Sequence, residues 1–542
     1  MTAAACGNRQ AVEADYQVVP LPQEISLTAG EAAFTLSPKT RIVASDSAQR
    51  SNAELFAGYV RTMAGFTPEI TDKAPAGDYI RLRATLDGAS PEAYTLTVSE
   101  DSIVVDGGSP AGTFYGLQTL RKAIPEAGDH NVVYPAATVS DAPRFAYRGT
   151  HLDVSRHFFT ADSVKMFIDM LALHNINRLH WHLTDDQGWR LEIKSRPELT
   201  NVGSRRSGTM IGTTKDETVR YDSIPYGGYY TQEQVRDIVD YAAARHITIV
   251  PEIDLPGHMQ AALAAYPELG CTGGPYEVWC RWGISDDVLC AANDSTYALL
   301  DDVMKEVTEL FPSEYIHIGG DECPKVRWEQ CPKCQALIRK LGFKDDKNGT
   351  AEQKLQSHVM KHVTDYLAGL GRKVIGWDEI LEGNIPEGAV VMSWRGIDGG
   401  IAAANSGHDA IMTPHTHLYF DYRQSDNADE PLAPHWAGPT TVATVYGYDP
   451  IPAELTPEQA EHIIGVQANI WTEYMPNMRH VQYMAIPRMG ALAEVQWSAA
   501  PKDYDAFIPR LARLARIYDA EGYNYARHAF EAEATEQAPE EE

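Results

Sequence analysis

Apolar and polar residues change rhythm once along the chain. Between residues 16 and 141, "AYTLTV" sets Tyr94, Leu96 and Val98 against Thr95 and Thr97, the two-residue period of a half-buried strand, and "SIVVDGG" follows as its hairpin partner. "GTFYGLQTLRKAI" then puts Phe114, Leu117 and Leu120 on one helical face. These patterns predict a small α/β domain over 16–141, ended by the proline of "DAPR".

Beyond that break, from 145 to 500, strand-like and helical runs alternate. The strand-like runs are "YRGTHLDVS", "INRLHWHLT", "ITIVPEIDL", "EYIHIGGDE", "RKVIGWDEI", "AVVMSWRG", "DAIMTPHTHLYFD" and "IIGVQANIWTE", eight in all. Helical stretches such as "SVKMFIDMLALH", "TQEQVRDIVDYAAARH" and "EQKLQSHVMKHVTDYLAGLG" fall between several of them, the last ending in a glycine suited to a C-cap. Eight parallel strands with intervening helices predict an α/β chain whose catalytic part is a (β/α)8 TIM barrel. An open doubly wound sheet is disfavoured, since no glycine-rich dinucleotide loop opens the first unit. A helical segment over 501–530 and an acidic tail over 531–542, too poor in apolar residues to pack, complete the plan.

At 542 residues, two or three domains are expected unless one is a large barrel, and the 44% apolar and 22% charged content is that of a globular protein. No window approaches the ~18 uninterrupted apolar residues of a membrane span. The net charge of −29 would repel a phosphate backbone, which excludes nucleic acid as a natural partner and favours neutral or cationic ligands.

Residues 1–15 read as the remnant of a leader or tether. "MTAAACGN" has the small residues and cysteine of a bacterial lipoprotein cleavage site, without the basic and apolar regions that precede one. An exported protein, lipid-anchored at Cys6 in the periplasm or at the cell surface, is the expectation; the competing reading is a chance cysteine in a terminal segment. Six further cysteines, at 271, 280, 290, 323, 331 and 334, lie within one 64-residue stretch. Export favours disulfides among them, with the pairing open. "CPKC" at 331–334 suggests a zinc knuckle, but such sites usually draw on two such pairs and only one is present.

In a barrel the C-terminal strand ends converge on the active site. Here those regions carry Arg148 and Asp153, then Asp185 and Asp186, Asp254 and His258, Asp321 and Glu322, Trp377 and Asp378, Trp394, Tyr419 and Asp421, and Trp471 and Glu473. Carboxylates accept hydrogen bonds from hydroxyls, and an indole face covers the C–H face of a pyranose, so acids and tryptophans at one mouth point to a sugar. Glycoside cleavage usually takes two carboxylates flanking the bond. Asp321 and Glu322 are neighbours, ill suited to opposite sides of a ring. The pair makes sense if the substrate's own 2-acetamido oxygen attacks C1, one carboxyl protonating the leaving group and the other holding the acetamido N–H.

"HIGGDE", "HLTDDQGWR", "YRGTHLDVSRHF", "PEIDLPGH", "GWDE", "SWRG" and "QANIWTE" together resemble the motifs of glycoside hydrolase family 20, the β-N-acetylhexosaminidases, across 145–500, and the domain before them is similar to the one that precedes the family's barrel. The resemblance implies an exo-acting, retaining, cofactor-independent enzyme on glycans ending in β-linked GlcNAc or GalNAc. It implies that Glu322 is the general acid/base and that Asp321 orients and polarises the acetamido group. Tyr419 would donate to the acetamido oxygen with Asp421 beside it, Arg148 would bind the C3 and C4 hydroxyls, and Glu473 those at C4 and C6. Trp377, Trp394 and Trp471 would wall the pocket, Trp436 would line its rim, and Asp185, Asp254 and His258 would support the acid pair.

Other readings stay open: a lacto-N-biosidase or an enzyme selective for sulfated GlcNAc within the family, and a sugar-capture lipoprotein without turnover. "HWH" at 180–182 and "HTH" at 415–417 also admit a metal-dependent hydrolase, although buried, hydrogen-bonded histidines are the commoner outcome and no metal is expected in the site. Asp153 is expected to anchor a loop. The glycine-rich stretch 201–230 reads as a lid, a subsite wall or a plain surface loop.

Overall fold

The computed structural model describes residues 9–530 apart from 348, 384 and 435. Cys6 and the acidic segment 531–542 lie outside the described residues.

The N-terminal part holds a three-stranded sheet (Gln10–Glu13, His130–Tyr134, Phe34–Leu36) and a seven-stranded sheet in the order Glu24–Leu27, Ala137–Asp141, Tyr94–Ser99, Ser102–Gly107, Tyr79–Arg83, Arg41–Val43 and Glu69–Thr71. The expected hairpin forms, antiparallel, with Tyr94 opposite Gly107 and Ser99 opposite Ser102. Tyr94, Leu96 and Val98 face inward, and the helix Pro110–Ala123 buries Phe114, Leu117 and Leu120. A second helix, Ser47–Ala64, packs beside it.

The second part is a closed barrel of eight parallel strands: β1 (Tyr147–Asp153), β2 (Arg178–His182), β3 (Thr248–Leu255), β4 (Tyr315–Gly319), β5 (Lys373–Trp377), β6 (Val390–Ser393), β7 (Ala410–Met412) and β8 (Ile463–Ala468). β8 closes on β1, Tyr147 pairing with Gly465. The helices between strands are locally encoded. Gln232–Ala243 starts in a capping box between Thr231 and Gln234, and Ala351–Gly369 is followed by Gly371 at φ +73°. No helix among the described residues is long and apolar enough to cross a membrane.

One strand is shorter than its sequence suggests. Of "DAIMTPHTHLYFD" only Ala410–Met412 pairs; Pro414, which has no N–H to give a ladder, turns the chain into the short helix His415–Leu418. Tyr419 then regains the barrel through a single bridge to Asn469. The stretch 201–230 folds into two small two-stranded ladders, Arg205–Arg206 with Tyr226–Gly227 and Met210–Ile211 with Arg220–Tyr221. From it Arg206 donates to the carbonyls of Arg156 and Gln187, so this stretch braces one flank of the barrel mouth.

The barrel core is polar on one side. Glu252 of β3 is fully buried among His180, His182 and His317. Burial opposes a charged His182, yet Glu252 and Asp185 prevail and hold its imidazole protonated well above the usual range. His180 meets Glu252 at 3.0 Å and accepts from Gln467, and Trp377 donates its indole N–H to Glu252 at 2.9 Å. The "HWH" histidines are thus hydrogen-bonded core groups. Asp153 accepts from the backbone N–H groups of Ser155, Arg156 and Thr472, the loop anchor expected of it.

Candidate active site

A cavity of about 350 Å³ opens at the C-terminal strand ends and is lined by Arg156, Asp185, His258, Asp321, Glu322, Trp377, Trp394, His415, Tyr419, Asp421, Tyr422, Pro434, Trp436, Trp471 and Glu473. Its size is near the lower end for small-ligand sites, suiting one sugar ring.

The turn after β4 explains "HIGGDE". Gly319 has φ +62°, and a Cβ there would lie 1.7 Å from an Asp254 carboxylate oxygen; at Gly320, with φ +99°, it would press on Ile380 and Met360. Only glycine lets the chain turn this close to its neighbours. Gly320 donates its N–H to Asp254, and Gln356 donates to the Gly320 carbonyl, so the turn is held from both sides. The bend buries Asp321 and leaves Glu322 facing the cavity. Glu322 itself takes φ +44°, a left-handed conformation that costs a side-chain-bearing residue about 1 kcal/mol or more.

His258 stands between two sets of acids. Its Nδ1 lies 3.2 Å from Asp185 and 3.5 Å from Asp186, while Nε2 lies 3.6 Å from Glu322 and 3.9 Å from Asp321. Burial is the largest single influence and disfavours its charge, but Asp185, Asp186 and Glu322 together outweigh it and raise the imidazole well above the ordinary range. Asp185 also receives His182 at 2.8 Å and Arg156 at 2.9 Å. Asp321 is pushed well above the usual carboxyl range, by burial first and then by Asp254 and Glu322, with His258 opposing. Burial likewise raises Asp254, to about 8. Two adjoining buried carboxyls cannot both ionise cheaply, so the Asp254–Asp321 pair retains a proton in the free site. Asp321 Oδ1 is buried without a hydrogen-bond partner in the protein.

Aromatic rings form the walls. Trp377 and Trp471 lie 5.8 Å apart, and Trp394 stacks on Tyr419 at 6.2 Å with its indole N–H donated to Glu379. Burial, then Asp421, raises the Tyr419 phenol well above its usual range, so it remains a donor. Asp421 is raised by burial and by Glu473, and its Oδ1 has no partner in the protein. Trp436 is 62% exposed at the rim.

Of the thirteen residues expected in or behind the site, eleven line this cavity, and Asp254 packs directly behind it. Arg148 does not belong to it. It sits at the start of β1, five residues before Asp153 and so about 16 Å from the strand's C-terminal end at ~3.3 Å per residue. There it is fully buried, paired with Glu92 at 2.7 Å and bonded to Tyr115, joining the barrel to the N-terminal domain. Arg156, from the same "YRGTHLDVSRHF" motif, lines the cavity instead, its guanidinium 5.0 Å from the Trp471 ring. Counting β1 from Tyr147 to its end would have selected it. Glu379, beside the expected Asp378, was also missed. Burial and Asp321 raise it to about 8, while Asp378 is taken up by Arg395 and the Trp394 N–H. Nothing in the sequence pattern marks Tyr422.

The two arginines separate by experiment. Arg148→Met breaks a buried ion pair, worth about 3–5 kcal/mol, and should lower Tm while leaving KM near wild type. Arg156→Met, which also breaks a buried pair with Asp185, should lower Tm as well but in addition raise KM at least tenfold. Calorimetry and steady-state kinetics on both variants check this, and a reversed pattern would return Arg148 to the sugar site.

Residues 145–500 match the family described as glycosyl hydrolase family 20, catalytic domain, and residues 15–142 match domain 2 of that family. A beta-hexosaminidase of Porphyromonas gingivalis is 43% identical over 94% of this chain, which spans 64% of that relative's length. A beta-N-acetylhexosaminidase of Cellulomonas fimi is 34% identical over 94% of this chain and 96% of its own. Among solved structures, the GH20 exo beta-N-acetylglucosaminidase of Vibrio harveyi, in complex with N-acetylglucosamine, is similar with a TM-score of 0.83 and 32% identity, over 96% of this chain and 80% of that one.

Proposed function

The chain belongs to glycosyl hydrolase family 20 and is a glycoside hydrolase, and from that premise we propose that it removes single terminal β-linked GlcNAc or GalNAc residues from non-reducing ends with retention of configuration. One observation carries the reading: Asp321 and Glu322, adjacent in sequence, meet at one small aromatic pocket, and a buried oxygen of Asp321 has no partner in the protein.

The ring enters with its acetamido group among Trp377, Trp394 and Trp471, whose faces exclude water and take up its methyl and C–H surfaces. Asp321 Oδ1 accepts the acetamido N–H, and Tyr419 donates to the acetamido oxygen, aiming it at C1. As that oxygen bonds to C1, Glu322 gives its proton to the departing glycosidic oxygen and the C1–O bond breaks. The resulting oxazolinium is positive at nitrogen, where Asp321 stabilises it as a carboxylate, the proton retained by the pair resting on Asp254. Glu322, now a carboxylate, takes a proton from water as the water opens the ring at C1. Two displacements at one carbon retain its configuration. His258, held by Asp185, lies within reach of both acids and steadies their negative charge in turn. Arg156, Asp421 and Glu473 hold the hydroxyls of the same ring, which makes the pocket a dead end and the cleavage exo-acting.

The test compares p-nitrophenyl β-GlcNAc with the β-glucoside, which lacks the acetamido group. Turnover should be confined to the first. Comparable hydrolysis of the glucoside would overturn participation by the substrate, and binding of GlcNAc without turnover of either would favour a capture protein. An address outside the cytoplasm, anchored at Cys6, remains a proposal resting on "MTAAACGN" alone.

A further inference from the structure

Four of the cysteines expected to form disulfides meet at one point outside the sugar pocket, as free thiols. Cys290, Cys331 and Cys334 are buried and Cys271 is partly so. Cys334 Sγ lies 3.6 Å from Cys290 and 3.9 Å from Cys271, and all four sulfurs fall within 4.8 Å of one another. A disulfide needs about 2.05 Å. A tetrahedron with Zn–S bonds of about 2.3 Å has edges of about 3.8 Å, the spacing seen here.

The chain supplies the two ligand pairs that its linear spacing conceals. One is the Cys-x-x-Cys of "CPKC", which straddles the start of the helix Pro332–Leu341, Cys331 at its N-cap and Cys334 in its first turn. The other is assembled in space. Gly270 bridges Leu289 in antiparallel fashion, and the Cys290 N–H bonds the Leu269 carbonyl, which brings Cys271 beside Cys290. Four soft ligands close enough to share one ion suit zinc in a structural role.

We propose that Cys271, Cys290, Cys331 and Cys334 bind one zinc ion that clasps the loop after β3 to the loop after β4. The first loop carries His258 and the second carries Asp321 and Glu322, so the clasp fixes the base on which the acid pair is built. Lesser contacts follow the same seam: the Trp328 indole donates to the Leu289 carbonyl at 2.9 Å, and Arg327 pairs with Asp287 at 2.7 Å. The ion would take no part in bond cleavage.

The deciding measurement is metal analysis of the full wild-type chain purified without an affinity metal. About one zinc per chain is expected, along with a lowered Tm once it is stripped by a mercurial and chelator and recovery on adding zinc. Replacement by cobalt should give the intense visible absorption of a tetrahedral thiolate site. Cys290→Ser and Cys334→Ser should lose the metal while Cys280→Ser keeps it. Because a cysteine variant can fail to fold, mass spectrometry of the wild type decides independently. Recovery of these four cysteines as two disulfides, or as thiols alkylated without zinc release, overturns the proposal, and stoichiometric iron overturns the choice of metal.

Discussion

Glu322→Gln should lower kcat/KM by about 10²- to 10⁴-fold on substrates with poor leaving groups such as GlcNAc-terminated oligosaccharides. Glutamine keeps the shape of the side chain and its place in the left-handed turn, but has no proton to give. The loss should therefore shrink sharply for a 2,4-dinitrophenyl glycoside, which departs unaided, and affinity for GlcNAc should change only a few-fold. Kinetics across leaving groups check this. A loss of equal size for every leaving group would mean that Glu322 positions the sugar rather than protonating it.

Asp321→Asn should reduce kcat by about 10²- to 10³-fold, for good and poor leaving groups alike. The carboxylate's work falls on the ring-closing step, which every acetamido substrate shares. Burial and the neighbouring carboxyls already disfavour charge on Asp321 in the free site, so the amide changes its charge little before substrate arrives. The deficit appears as positive charge grows on the acetamido nitrogen, where asparagine offers no negative charge and can turn a donor toward the N–H. The KM for acetamido substrates should consequently move less than kcat. An unchanged kcat would remove Asp321 from the mechanism. The profile across leaving groups distinguishes the two variants even if their overall losses are similar.

Much of this was legible in the chain. Eight strand-like runs gave eight barrel strands because each is a short stretch with β-branched or aromatic residues, set off by turn residues and, in several cases, by helical stretches. The acids and indoles were legible because a barrel brings every strand end to one mouth. What was lost depended on direction along a strand or on contacts far apart in sequence. Arg148 and Arg156 share a motif, and only the point where β1 ends separates a domain-joining arginine from one in the pocket. The "HTH" turn looked like strand until Pro414 broke the ladder. The cysteine cluster was obscured because the partner of "CPKC" is made by a bridge between Gly270 and Leu289, which no local spacing records.

The left-handed backbone at Glu322 has a consequence for how such a protein can decay. Glycine would relieve the strain there, so a Glu322→Gly substitution removes the acid while easing the fold. Lineages released from the need for turnover would find that change inexpensive in stability, and a sugar-holding descendant with an intact aromatic pocket would be only one residue away. A glutamate where the backbone favours glycine costs the fold some stability, and in the proposed mechanism that cost sets the acid against the leaving group.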